Sequence, residues 1–598
     1  MEFNSREEIE EKYTWDLTTV YPSDEAFLTA LEGAKSYPEK CAAWHGKATA
    51  SAADLLTYLQ FQDEIDVSLT HLSNYAERKK DQDTRVSKYQ DFSSQVMSLY
   101  VAIYSANAWF TPELLALSND QIDKFYADCR ELEQYRRLLD RQLQFRDHTL
   151  SPSEEALLAQ AGEMAQQPDT IYSMLNDADM AFPDAVDSNG ERHAVTHGSY
   201  VPLLSSQDRV LRKSAFESLY SVYRQFRNTC AAVLASQTKQ LQFFAIARKY
   251  PSTLDSALFA NEVSVEVYTN LIEAVHRNMP AMHKYTQLRR KLLHVDELHF
   301  YDLYAPMVSD VEMSFTYEEA CEIILKALEP MGEDYLAIVK RALSERWIDV
   351  YENPGKRSGA YSSGGYGMNP FILLNFQGTL NDVFTLIHEM GHSIHTYLSC
   401  HNQPACYSNY VIFVAEVAST CNEALLMQYL LKHTDDKRQR AYLLNYFLEQ
   451  FRTTLYRQTM FAEFELKINQ INERGEGLTA DVLCDIYRQL NADYFGDAIE
   501  LDDEIALEWA RIPHFYYNYY VYQYATGYAA AIALSERILS GGKPAVEDYL
   551  NFLKGGSSKP PIELLRGAGV DMATTQPIDA ALQLFDKLID EMNDLVSE

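Results

Sequence analysis

Apolar residues recur three and four positions apart through most of the chain, which is the spacing of one face of an α-helix. The clearest examples in the first third are residues 53–80, 87–108, 119–146 and 153–168. Each stretch sets charged residues between the apolar ones and therefore predicts an amphipathic helix packed in a bundle. No repeat of fixed period occurs, so a solenoid is not expected. The pattern predicts a mainly α-helical fold.

Turn-rich and β-rich segments interrupt the helical pattern. Residues 178–204 are rich in Asp, Pro, Gly and His, and the sequence DSNG at 187–190 predicts a hairpin. Residues 296–308 and 346–377 have a β-rich composition, and the second segment contains a glycine-dense loop followed by a strand over 370–375. We therefore expect a small sheet in the chain just before the helical pattern resumes.

These changes of pattern divide the chain into two predicted domains. The first is an N-terminal helical domain over residues 1–200, and the second is a helical domain over 201–598 with a small sheet near 296–377. The length of 598 residues allows several units of roughly 150 residues each. Hydrophobic residues make up 47% of the chain, which is enough for a large buried core.

Charge and cysteine content narrow the classes of partner. The chain has 52 Lys and Arg against 86 Asp and Glu, a net charge of -34. So acidic a chain argues against nucleic acid and against anionic membrane surfaces, because both need a basic face. Residues 1–13 are charged and lack the apolar stretch of a secretory signal, and no stretch approaches the ~18 apolar residues of a membrane span. The eight cysteines form no CxxC pair, so we expect reduced thiols and a cytoplasmic location.

The most informative motif is HEMGH at 388–392, inside a predicted helix over 381–398. Thr379 or Asn381 is expected to cap this helix, and Asp382 suits its positive N-terminal end. Motifs of this kind also arise by chance, so two histidines with a purely structural role are the alternative.

The spacing of the motif suits one metal ion. His388 and His392 are four residues apart, so they project side by side from one helix face and predict two Zn²⁺ ligands. Glu389 flanks the same position and is predicted to take a proton from water. Gly391 is unfavourable inside a helix, which predicts either a close approach by another group or a packing contact between helices.

A catalytic zinc site needs a third protein ligand. Position 398 is Leu, so the spacing HExxHxxGxxH of another metallopeptidase class is absent. The best candidate is Glu416, which stands alone in an apolar helical run where an unpaired carboxylate is costly. Glu423 shares its face and is expected to orient a ligand histidine. His395 is expected to pack or to support the site.

At this point the chain resembles a known family. The matching segments are YTWDLTTVYPS (13–23), ARKYPSTLDSAL (247–258), GKRSGAYSSGG and NPFILLNF within 355–376, HEMGH (388–392), FVAEVAST (413–420) and IPHFYYNYYVYQYATGY (512–528). They are similar to oligoendopeptidase F, within the thimet oligopeptidase-like family of zinc metallopeptidases. The resemblance implies a large helical, clam-like fold with a deep central channel, one Zn²⁺ per chain, a small sheet beside the catalytic helix and short peptide substrates.

The tyrosine-rich segment 514–528 adds candidate oxyanion donors. Seven tyrosines and a histidine lie within it, and a helix here would carry phenols on every face, so an aromatic core helix is the alternative. The resemblance places a His and a Tyr five residues later at the active site, which gives His514 and Tyr519. Tyr522 is a further candidate for binding substrate, reached by a small shift of register.

The sequence thus predicts a zinc-dependent oligoendopeptidase that hydrolyses internal bonds of short unstructured peptides through a metal-activated water. Gly364 and Gly365 begin a loop and strand, 364–375, expected to pair with the peptide backbone, with an ordinary turn as the alternative. A zinc carboxypeptidase or dipeptidyl carboxypeptidase on the same scaffold is the main rival. A peptide-binding protein without turnover and a hydrolase of non-peptide amides are the others. The sequence does not determine oligomeric state.

Overall fold

Helices carry most of the chain. The computed structural model describes residues 3–308, 311 and 313–597. In chain order, the helices are α1 (Asp24–Ala34), α2 (Tyr37–Ala43), α3 (Ala52–Gln82), α4 (Ser87–Asn107), α5 (Phe110–Ala116), α6 (Asn119–Asp128), α7 (Arg136–Leu143), α8 (Pro152–Ala165), α9 (Gln167–Ser173), α10 (His197–Leu204), α11 (Arg209–Ala247), α12 (Thr253–Phe259), α13 (Val265–Arg277), α14 (Met279–Leu292), α15 (Tyr317–Ala327), α16 (Gly332–Ser344), α17 (Leu380–Asn402), α18 (Ile412–His433), α19 (Lys437–Gln450), α20 (Arg457–Glu473), α21 (Ala480–Phe495), α22 (Tyr522–Leu553, interrupted at Gly542), α23 (Pro561–Gly567) and α24 (Gln576–Ser597). None of the helices in the described part of the chain combines the length and apolar character needed to cross a bilayer.

The strands are short and form three small sheets in the described ranges. They are β1 (Ala185–Val186), β2 (Arg192–His193), β3 (Leu298–His299), β4 (Ile348–Asp349), β5 (Tyr361–Ser363), β6 (Phe371–Leu373) and β7 (Ile499–Glu500). β1 and β2 form an antiparallel hairpin, and β3 pairs with β7 in parallel. The three-stranded sheet has the order β4-β6-β5, with β4 parallel and β5 antiparallel to β6. β5 is therefore an edge strand.

Two compact units, each built from three chain segments, make up the structure. The first unit contains residues 1–147, 313–429 and 534–570, and the second contains 148–312, 430–533 and 571–598. This division groups residues by spatial contacts and is discontinuous in sequence. It does not test the predicted boundary between 1–200 and 201–598, which stays a prediction.

The core of the first unit joins its N-terminal helices to its three-stranded sheet. Phe27 of α1 stacks on Tyr75 of α3 and on Phe92 of α4, with ring centroids 5.2 and 4.6 Å apart. Phe371 of β6 belongs to the same buried cluster and contacts Trp15 edge-on. Such contacts fix the sheet against the helices, and α17 packs on the sheet through β5 and β6.

The second unit is organised around α11, a helix of 39 residues. Its core contains buried ion pairs as well as apolar side chains. Glu508 receives hydrogen bonds from Arg457 and from the phenol of Tyr487, which hold the pKa of its carboxyl at about 2 in spite of burial. Arginines suit such buried pairs because their planar fork bonds a carboxylate at two points.

Most of the predicted elements are present. The hairpin at 187–190 is confirmed by β1 and β2, and the strand near 370–375 by β6. The helix predicted over 119–146 is wrong in its continuity, because α6 ends at Asp128 and a 3-10 segment precedes α7. A capping box at Ser118 fixes the start of α6, whereas no periodic signal marks its end.

Candidate active site

The helix of the HEMGH motif is α17, and it begins where the sequence predicts. Thr379 accepts a hydrogen bond from the backbone N–H of Asp382, whose side chain in turn accepts from the backbone N–H of Thr379. This capping box at Thr379, and not Asn381, caps the N-terminus of the helix. The resulting register places the side chains of His388 and His392 on one face, with their Nε2 atoms 3.2 Å apart.

Gly391 allows the backbone of α18 to approach α17 closely. A Cβ atom at this position would lie 2.6 Å from the Cα of Ser419 and 2.8 Å from the carbonyl oxygen of Ala418. Both distances are too short for any side chain. Of the two interpretations of Gly391 from the sequence, the packing contact between helices therefore holds, and this contact brings Glu416 to the motif.

Three donor atoms form a nearly equilateral triangle. Oε2 of Glu416 lies 3.3 Å from Nε2 of His388 and 3.4 Å from Nε2 of His392, close to the 3.2 Å between the two nitrogens. Two ligands of a tetrahedral zinc ion are about 3.4 Å apart, which is 1.63 times a bond of about 2.1 Å. The donor set His, His and Glu also matches a zinc site that leaves one position open. The residues thus fit the metal that the sequence predicts.

Glu423 fixes the orientation of His388. Nδ1–H of His388 donates to Oε1 of Glu423 at 2.5 Å, so in the neutral ring Nε2 carries the lone pair. That lone pair faces the Glu416 carboxylate, an arrangement that only a cation or a proton makes favourable. Burial lowers the pKa of His388, but hydrogen bonds to Glu416 and Glu423 raise it to about 10.

Glu389 is buried beside the same triangle. Burial raises the pKa of its carboxyl, while the nearby histidines and the backbone N–H of Ser362 oppose that rise. A carboxylate with a raised pKa at a metal site is suited to accept a proton and later return it. Ser362 lies in the edge strand β5, and its hydroxyl lies 2.7 Å from that of Ser393 on α17. Ser362 is not among the residues predicted from the sequence, because the sequence predicts the strand beside the site within 364–375, whereas β5 ends at Ser363.

The glycine loop follows this edge strand and packs tightly. Cβ atoms on Gly364 and Gly365 would lie 2.9 Å from Cα of Pro370 and 2.2 Å from Cγ2 of Thr70. Both glycines are therefore required by the packing of the loop. Their role in substrate binding stays a prediction. The strand β5 contacts α17 and comes directly before the two glycines in the chain.

His395 is a packing residue. Its ring stacks on Tyr410 with centroids 3.7 Å apart, and the residue is 1% exposed. Burial lowers the pKa of the ring to about 3, so His395 is neutral. It is not among the donor atoms that meet at His388, His392 and Glu416.

The tyrosine-rich segment belongs to the second unit and is not one continuous helix, so the alternative of an aromatic core helix does not hold for its first half. His514 lies in a 3-10 turn, Pro513–Tyr516, and α22 begins only at Tyr522. Between them, Asn518 and Tyr519 have φ angles of 53° and 54°, a left-handed conformation that no helical periodicity predicts.

The predicted donors of this segment lie at different depths. Tyr519 is 2% exposed, with its hydroxyl 2.9 Å from that of Thr253. Tyr522 is fully buried, with its ring 5.2 Å from that of Tyr268. His514 is only half-buried, and burial lowers its pKa.

Other phenols surround His514 within the second unit. The ring centroids of Tyr517, Tyr520 and Tyr524 lie 5.5, 6.5 and 6.2 Å from that of His514. Tyr517 is 50% exposed, and Tyr520 is partly exposed. The exposed phenols of this segment are thus those of Tyr517 and Tyr520, whereas the phenol predicted from the spacing is that of Tyr519. Counting residues at helical spacing could not reveal this, because Asn518 and Tyr519 depart from helical backbone geometry.

Comparisons with known proteins show the family to which the chain belongs. Residues 202–584 match the family model described as Peptidase family M3, and residues 113–182 match the one described as Oligopeptidase F. Oligopeptidase PepF of Bacillus subtilis is 47% identical over 591 residues, covering 99% of this chain and 88% of its own. Group B oligopeptidase PepB of Streptococcus agalactiae is 42% identical, covering 100% and 99%.

Solved structures are also similar. The crystal structure of oligoendopeptidase-F from Enterococcus faecium has a TM-score of 0.73 at 39% identity, covering 96% of this chain and 98% of its own. A structure described as a peptidase of Chlamydophila abortus has a TM-score of 0.94 at 37% identity, covering 99% and 100%. These matches confirm the mainly α fold and the resemblance. The chain therefore belongs to peptidase family M3 and is a metalloendopeptidase.

Proposed function

We propose that this metalloendopeptidase is a zinc-dependent oligoendopeptidase that hydrolyses internal bonds of short unstructured peptides, with His388, His392 and Glu416 as the ligands of one Zn²⁺. The observation that carries the proposal is the triangle of donor atoms with edges of 3.2, 3.3 and 3.4 Å. Its size and donor types match one face of a zinc tetrahedron, and the fourth position remains for water or substrate.

The chemistry divides between the metal and the chain. Zn²⁺ bound there would supply a Lewis acid that lowers the pKa of water and polarises a carbonyl. Glu389 accepts the proton of the attacking water at its carboxylate and later donates it to the leaving amine. Glu423 holds His388 in the tautomer whose Nε2 is free to bind the metal. In this proposal an extended peptide pairs with the backbone of the edge strand β5, so binding needs no particular sequence.

Some finer parts of the sequence analysis stay predictions. These are the oxyanion roles of His514 and Tyr519, the binding roles of Tyr522, Gly364 and Gly365, the absence of nucleic acid and membrane partners, and the cytoplasmic location. Preorganised hydrogen-bond donors, which include Tyr and His side chains, stabilise the oxyanion of a tetrahedral intermediate.

The test combines metal analysis with product mapping. The purified protein should contain close to one zinc per chain, lose activity on dialysis against a chelator, and regain it with added Zn²⁺. Glu416→Gln should lower zinc occupancy, whereas the exposed control Glu322→Gln should not. Full activity after complete zinc removal would contradict the proposal.

Mass-spectrometric mapping of a peptide mixture separates the endopeptidase from its rivals. Peptides blocked at both termini should still be cut internally. Release of single residues or dipeptides from free C-termini alone would favour the carboxypeptidase or dipeptidyl carboxypeptidase. Intact peptides would favour a binding protein.

A further inference from the structure

Two consecutive left-handed residues shape the loop that follows His514. Asn518 and Tyr519 have φ angles of 53° and 54°, and neither is glycine. Such a conformation is unfavourable for residues with a Cβ atom, so the surrounding structure must hold it. The residues that hold it also determine how the neighbouring side chains of the loop are presented.

The inward-facing residues of this loop have firm anchors. Phe515 packs edge-on and tilted against Phe461 and Phe464 of α20, with ring centroids 5.6 and 4.9 Å away. The carbonyl oxygen of Tyr516 accepts a hydrogen bond from Nε2 of Gln237 on α11. These contacts hold the first half of the loop, and they leave the left-handed turn to be fixed by other groups.

Tyr519 is held at both of its ends through α20. Its backbone N–H donates to Oε1 of Glu465 at 2.6 Å. Its hydroxyl meets that of Thr253 at 2.9 Å, and Thr253 donates in turn to Glu473. Because the Thr253 proton is used for Glu473, the Tyr519 hydroxyl donates to Thr253. Glu465 is thus the group that fixes the backbone of the turn.

Glu465 is an unusual residue for that position. It is 1% exposed, and its Oε2 has no hydrogen-bond partner in the described part of the chain. The phenols of Tyr268 and Tyr519 lie close enough to this carboxyl to interact with it electrostatically. Among the residues that the structure describes, only the backbone N–H of Tyr519 lowers the pKa of this carboxyl. A buried carboxyl with so little compensation is costly, and it is explained if the turn needs its acceptor.

We propose that Glu465 is a positioning residue: by accepting the Tyr519 N–H it holds the left-handed turn at 518–519, and so sets the placement of His514 for the reaction. The inference rests on the proposed function in one respect, which is that the loop carrying His514 takes part in the peptidase reaction. Burial raises the pKa of Glu465 to about 8, the Tyr519 N–H only partly opposing this, so the acid is mainly protonated near neutral pH.

Three variants and one control separate this role from general stability. Glu465→Gln keeps an acceptor oxygen of the same shape, and Glu465→Leu removes it. His514→Ala is measured in parallel. Glu463→Gln is the control, because Glu463 is a carboxylate of the same helix, 4% exposed, that bonds His276 and Tyr494 instead of the loop.

Backbone exchange and kinetics give independent readouts. In Glu465→Leu, amide hydrogen exchange should rise in residues 517–521, and kcat should fall about tenfold or more with KM little changed, because an unsatisfied buried N–H releases the turn. Glu465→Gln should keep both values within about threefold of the wild type, since its amide oxygen still accepts the N–H. The control should keep the exchange pattern of the loop even if its melting temperature falls.

The pH dependence of stability gives a second test. A folded-state pKa of about 8 against an ordinary value of 4.5 favours the folded state at low pH, and this advantage is lost as pH rises towards 8. As the pH rises from 4.5 to about 8, the wild type should therefore lose stability relative to Glu465→Gln, as measured by chemical denaturation.

Specific outcomes would overturn the inference. Unchanged loop exchange in Glu465→Leu would show that Glu465 does not hold the turn. Raised exchange with unchanged kcat would show that the turn does not matter for the reaction. A Glu465→Gln variant as impaired as Glu465→Leu would contradict the role of the acceptor. Full activity of His514→Ala would count against the role of His514 in the proposed function, while the exchange result would still report on Glu465.

Discussion

The metal centre in the first unit and the His514–Tyr520 loop in the second are held by different physical means. The proposed metal centre is built by regular helix geometry. A spacing of four residues places His388 and His392 side by side, and Gly391 allows the helix that carries Glu416 to approach closely. The loop departs from regular geometry at 518–519 and depends on one buried carboxyl, Glu465. Functional groups on helices are therefore readable from spacing, whereas those on strained turns are not.

The largest expected effect comes from Glu389, the proposed proton acceptor. Glu389→Gln keeps the shape of the side chain but cannot take a proton from water. We expect kcat to fall about 10²- to 10⁴-fold while zinc content stays near one per chain. A fluorogenic peptide assay and elemental analysis of the same sample provide the measurement. A variant that retains most of its activity would contradict the assignment of Glu389.

The next effect tests the helix contact that completes the centre. Gly391→Ala places a methyl group 2.6 Å from Cα of Ser419, so α17 and α18 must separate. We expect a loss of about 1–3 kcal/mol in unfolding free energy, with weaker zinc binding.

Gly162→Ala is the matched control for this substitution. Gly162 lies inside α8 with open space where a Cβ would be, so alanine there should stabilise the protein slightly, by about 0.5–1 kcal/mol. Thermal melting and zinc titration would compare the two variants. Equal behaviour of both would show that the close approach at Gly391 has no consequence.

A smaller effect is expected for Glu423, which contacts the proposed ligand His388. Glu423→Gln weakens the acceptor that orients His388 and should lower zinc affinity about tenfold, with kcat recovering at saturating zinc. Competition with a chromophoric chelator measures the affinity. A loss of kcat that excess zinc does not restore would point to a different role.

The smallest effects distinguish the phenols of the loop. Tyr519→Phe removes the hydrogen bond to Thr253 and should lower the free energy of unfolding by about 0.5–1.5 kcal/mol. Tyr520→Phe alters a partly exposed phenol and should leave stability unchanged. Denaturation and steady-state kinetics on both variants also test the predicted oxyanion role of Tyr519. A loss of kcat confined to Tyr519→Phe, without loss of stability, would favour that role.

Much of the fold and of the metal centre was predictable. The helical period gave α3, α4 and α17, and the capping residue Thr379 marked the start of α17. These features are local, since each depends on residues within a few positions. The break between α6 and α7 was not predictable, because the periodicity continues through it while packing ends the helix.

By itself, the sequence determined a helical chain with two histidines on one helix face, an adjacent glutamate and an isolated acidic residue 28 positions later. Only the tertiary structure decided that Gly391 is a helix contact, that Glu423 bonds His388 and not His392, and that β5 is the edge strand beside Glu389. It also decided which tyrosines after His514 are buried. The reason is physical: helical spacing is fixed by local backbone geometry, whereas close approaches and strained turns depend on residues distant in sequence.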